Sequence, residues 1–131
     1  MRVQAYLKAG AAAAGMAVAL SGCMSLITGG DLIREGEPMA RFTFENRSQS
    51  QQIDVVLIST CQASSYGLNR LPLGTVINPG QSYSWDISAG CYETAVGKVG
   101  QGDSRMRINI PAGRHFVLFY EHDQGYREEV R

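Results

Sequence analysis

Cys23, Cys61, Cys91, His115 and His122 have the widest chemical range in this 131-residue chain. A thiolate is a nucleophile, two thiols make a disulfide, and thiolates with imidazoles hold zinc. Spacing narrows these options. No Cys-x-x-Cys pair is present, and Cys61 and Cys91 show no zinc-ligand spacing to each other or to His115 and His122. His115 follows Arg114, and His122 lies between Glu121 and Asp123, so both read as surface residues without a triad or metal context. Asp54 and Asp86 are isolated acids, able to work as a catalytic pair only if folding brings them together. Asp123-Gln124-Gly125 is too short for a calcium loop. No Gly-x-Ser-x-Gly element, His-Glu-x-x-His helix or phosphate-cradling glycine loop occurs. The expectation is a non-enzymatic chain that holds no cofactor.

Cys23 is set apart by what precedes it. Arg2 and Lys8 give a basic start, Ala9 to Leu20 is an unbroken run of small and apolar residues, and Ser21-Gly22 leads into the cysteine. As a helix that run reaches roughly 18 Å, against about 30 Å of bilayer hydrocarbon, so it does not span comfortably. Leu20-Ser21-Gly22-Cys23 resembles the lipobox of bacterial lipoproteins. The resemblance implies removal of residues 1–22 and a diacylglycerol on the Cys23 thiol, with further acylation fixing the chain at a membrane. It also implies an address. Met24, rather than Asp, follows Cys23, which points to the outer membrane, facing the periplasm.

Without the leader the chain keeps ten basic and twelve acidic side chains and no polybasic run, so nucleic acid is a poor partner. Residues 23–38 read as a lipidated start and a mostly disordered tether, with Thr28-Gly29-Gly30-Asp31 at its flexible centre. Leu26-Ile27 and Leu32-Ile33 offer the alternative of docking on the membrane or on the domain. Residues 39–131 read as one domain.

That domain carries a hydrophobic period of two, the mark of half-buried strands. Phe42 and Phe44 alternate with Arg41, Thr43 and Glu45, and a second run, Ile53 to Ile58, is apolar on both faces and reads as a central strand. Polar Asn46 to Ser50 between them makes a hairpin candidate. Tyr83, Trp85 and Ile87 alternate with Ser82, Ser84 and Asp86, which makes Trp85 a core residue. Met106, Ile108 and Ile110 alternate with Arg105, Arg107 and Asn109; His115 to Tyr120 is apolar on both faces; Tyr126 to Val130 reads as a final edge strand. About six or seven short strands with turn signals between them predict an all-β fold, a small antiparallel β-sandwich of immunoglobulin-like or transthyretin-like kind.

In an exported chain Cys61 and Cys91 most simply pair with each other, because the compartment is oxidising. Closing that loop contributes about 3.6 kcal/mol in the chain-entropy model. A second resemblance covers Glu45 to Val96. The stretch Tyr66-Gly67-Leu68-Asn69-Arg70-Leu71, the turn Pro79-Gly80-Gln81-Ser82 and the strand start Cys91-Tyr92 are similar to small exported bacterial β-sandwich domains, with Tyr66 where Trp is usual. These motifs form turns and imply a fold rather than an activity. Tyr66, Asn69 and Arg70 on a disulfide-stapled loop are the candidate partner contact, since Tyr and Arg are enriched at such contacts. The functional expectation is a membrane-anchored cell-envelope lipoprotein with a protein partner. The alternative is a periplasmic lipoprotein that binds a small ligand or a metal.

Overall fold

The computed structural model describes residues 29–97, 103–121 and 125–131. The leader, Cys23 and His122 lie outside these described residues. Seven strands follow one another: β1 (Met39–Asn46), β2 (Val55–Thr60), β3 (Ser82–Ser88), β4 (Gly90–Gly97), β5 (Asp103–Ile110), β6 (His115–Glu121) and β7 (Gly125–Val130). They form two sheets, ordered β3-β1-β6-β7 and β2-β4-β5. The fold is all-β, and the sheets bury their apolar faces against each other.

The period-two pattern explains which face turns inward. On β1, Phe42 and Phe44 are fully buried, and on β2 Val56 and Ile58 are too. Ile87, Tyr92, Val96, Ile108 and Leu118 complete the centre of the core. Trp85 is half-buried at its margin, stacked on Phe42 with ring centroids 5.6 Å apart. β6 is covered on both sides. Val117 and Phe119 face away from the core yet remain buried, and the Arg47 guanidinium sits 3.8 Å from the Phe119 ring centroid.

Three features of the strand arrangement depart from the sequence expectations. First, β1 and β2 do not form a hairpin: they lie in different sheets. Asn46 ends β1 with its side chain buried, donating to the carbonyls of Gln51 (2.6 Å) and Ile77 (2.9 Å) and accepting from Ser48 Oγ (2.6 Å). This side chain bends the chain across the top of the sandwich instead of back along β1. Second, β2 is an edge strand rather than a central one. Its apolar outer side is covered because residues 61–81 climb along its free edge, touching it through bridges Leu57↔Asn69 and Ile53↔Ile77.

Third, the sandwich is not purely antiparallel. The climbing connection returns the chain to the top, so β3 descends antiparallel to β1. The alternation of β4, β5 and β6 then brings β6 beside β1 in the same direction, a parallel pair from Arg41↔His115 to Asn46↔Tyr120. Strand periodicity is blind to this, because it reports faces and not neighbours.

Residues 29–38, expected as tether, lie across the bottom of the sandwich. The Thr60 N–H donates to the Gly29 carbonyl (2.8 Å), the Ser88 N–H to Leu32 (2.7 Å) and the Ala89 N–H to Pro38 (2.8 Å). Leu32 packs against the core. Gly29 and Gly30 are buried at φ +83° and +98°, and a Cβ on Gly29 would stand 2.8 Å from the Ser59 Cβ. The two glycines serve close packing rather than mobility.

Candidate partner-binding face

The outer face of the sheet β2-β4-β5 is built from the register. Ser59, Glu93 and Arg107 lie in one cross-strand row, and Leu57, Ala95 and Arg105 in the next. Alternation puts all six on the side away from the core. Tyr66, entering from the loop after Cys61, covers this face. Its ring centroid is 4.8 Å from the Arg105 guanidinium, a cation–π distance. The Glu93 carboxylate accepts a hydrogen bond from Arg107 (2.7 Å), and Tyr66 adds a smaller share to favouring its charged form. The Arg107 hydrogen bond is the larger influence in holding the Glu93 carboxyl below the usual carboxylate range.

The loop is held in place by the two other residues of the sequence-derived patch. Asn69 Oδ1 accepts from the backbone N–H of Val56 (2.9 Å) and of Leu71 (3.2 Å), while Nδ2 donates to the Asp54 carbonyl (2.8 Å). One amide side chain thus takes the place of a neighbouring strand. The Arg70 guanidinium donates to the carbonyls of Ile58 (3.0 Å) and Gly30 (2.7 Å), and burial pulls its pKa down. Tyr66, Asn69 and Arg70 therefore divide their work. Asn69 and Arg70 turn their polar atoms onto β2 and the segment before β1, and Tyr66 joins Glu93, Arg105 and Arg107 on the sheet.

Cys61 and Cys91 form a disulfide, with Cα atoms 5.5 Å apart. It ties the start of the loop to β4, beside the row that Tyr66 covers. Beyond Tyr66 the connection exposes Leu68 and Leu73. A polar cleft of about 570 Å³ opens next to the disulfide, lined by Asp31, Arg34, Thr60 and Gln62 among others. Its guanidinium, Arg34, is bound to Glu37 (2.5 Å) and to the Asp31 carbonyl (2.7 Å).

The other chemical candidates fall elsewhere. Asp86 lies on β3, 3.7 Å from Arg41, and Asp54 precedes β2 of the opposite sheet; folding does not make them a pair. His115 Nε2 is 2.6 Å from Thr43 Oγ1, which is 2.7 Å from Ser84 Oγ, a hydrogen-bonded row across the outer face of the larger sheet. Among the described residues, no three His, Cys, Asp or Glu side chains are grouped to hold a metal ion. Glu93, Arg105 and Arg107 are the members of the face that sequence reasoning missed. The alternation of Arg105 and Arg107 with Met106 and Ile108 marks them as outward-facing, but only the folded loop brings Tyr66 onto them.

No protein-family model matches the chain, and a comparison with curated proteins finds no match.

Proposed function

We propose that the chain is a lipid-anchored lipoprotein of the bacterial cell envelope, non-enzymatic, whose β-sandwich binds an envelope protein. Leu20-Ser21-Gly22-Cys23 supports the anchor, with acylation at Cys23 and, from Met24, an outer-membrane address facing the periplasm. The Cys61–Cys91 disulfide fits an oxidising compartment. The observation that carries the binding reading is the arrangement of Tyr66 between Arg105 and the Glu93–Arg107 pair. An aromatic ring held rigidly among guanidinium groups supplies the residue types that dominate protein–protein contacts, at little entropic cost because the loop is already fixed.

Crosslinking in living cells followed by mass spectrometry tests this. A tagged chain yields a reproducible envelope partner, lost in Cys23→Ala and reduced at least tenfold in Tyr66→Ala with Arg105→Ala, a loss of about 1.4 kcal/mol or more. A partner captured equally well by the Tyr66→Ala, Arg105→Ala protein would refute the face. Persistence of membrane fractionation and acyl mass in Cys23→Ala would refute the anchor.

A further inference from the structure

We infer that the end of the sandwich closed by residues 29–38 rests on the lipid headgroup surface, so that the bilayer is a second, oriented partner of the folded domain. This rests on the lipid anchor proposed above. A long free tether would let the domain tumble at any angle, whereas here the chain is already part of the fold at Gly29. The Gly29 carbonyl is bound by the Thr60 N–H, and the Gly30 carbonyl by Arg70 Nη2 at 2.7 Å. Only five residues, six Cα–Cα steps, separate Cys23 from Gly29. However they are arranged, they reach no further than roughly 20 Å, which is less than the length of one eight-residue strand at about 27 Å. The bottom of the sandwich therefore stays close to the anchor while the opposite end projects outward.

The chemistry of that end suits a headgroup layer. Ile33 is 64% exposed and Met39 42% exposed, and both lie beside Ser88, whose N–H binds Leu32 and whose Cα pairs with Met39. Exposed apolar side chains next to an anchor gain by entering the interface. Charges here are mixed. Arg34 is paired with Glu37 and Arg131 with Glu129, and Asp31, Glu35 and Arg114 add both signs nearby. Such a pattern matches zwitterionic headgroups, which present both charges, better than a strongly anionic surface.

Nitroxide labels on the acylated full chain in phosphatidylethanolamine–phosphatidylcholine vesicles test this. The labelled variants are Glu35→Cys and Ala112→Cys at the near end, and Gln49→Cys and Gln81→Cys at the far end. Collision with a water-soluble nickel chelate falls several-fold at Glu35 and Ala112 on acylated protein, relative to unacylated Cys23→Ala protein, and stays unchanged at Gln49 and Gln81. The near-end protection persists when salt is raised, as expected for zwitterionic contact. Acylated protein with equal accessibility at both ends would overturn this inference alone. Absence of acyl mass on Cys23 would overturn both it and the anchor.

Discussion

Single side chains do much of the work of shaping this molecule, and Asn46 is the clearest case. It is fully buried, and its amide satisfies two carbonyls and Ser48 at the point where the chain leaves β1 for the other sheet. Asn46→Ala removes these three hydrogen bonds at about 0.5–1.5 kcal/mol each, so a loss of roughly 2–4 kcal/mol is expected. Urea titration should show a lower midpoint with an unchanged slope. Glu93 gives a pH-dependent prediction. Its folded pKa is depressed, chiefly by Arg107, so its contribution is full above the unfolded carboxylate pKa and fades as pH falls through the folded value. Melting temperature against pH should fall less steeply on the acid side in Glu93→Gln than in the parent chain. Tyr66 and the outward phase of Arg105 and Arg107 were legible as residue types. Their juxtaposition was not, because Tyr66 and Arg105 are far apart in sequence and meet only through the fold.

At the level of elements, strand existence was readable and strand partnership was not. Alternation of Phe42 with Phe44, of Tyr83 with Trp85, and of Met106 with Ile108 marked β1, β3 and β5, because one face of each strand must be dry. Nothing in those runs says that β1 pairs with β3 and β6 rather than β2. The deeper misreading concerns Gly29 and Gly30. Glycine serves free rotation and close approach equally well, and only the positions of Ser59, Thr60 and Tyr66 decide between them. Gly29→Ala should therefore displace the segment across the bottom of the sandwich. A loss of about 1–3 kcal/mol and faster proteolysis within residues 29–38 are expected. Gly36→Ala is the control: it also has positive φ but no atom within 4 Å, so it should cost only about 1–2 kcal/mol and leave the segment protected.

As a whole, the molecule is assembled from distant partners. The Cys61–Cys91 bond spans a separation of 30 and closes the only covalent loop among the described residues. Replacing both cysteines by alanine should cost about 2–5 kcal/mol, read as a lower midpoint in guanidinium chloride, and dithiothreitol should reproduce that loss in the parent chain. The two-sheet architecture followed from the strand period, and the pairing of the two cysteines from the oxidising compartment that the lipobox resemblance implies; the parallel β1–β6 contact needed the full path of the chain. The free margins of the sheets have a consequence for encounters between copies of the chain. The climbing connection shields β2, Arg105 and Arg107 stud β5, Asp86 points outward from β3, and β7 carries Arg127-Glu128-Glu129. An uncharged open edge recruits the edge of a neighbour. Charge along these margins lets many copies stand side by side without zipping into fibrils.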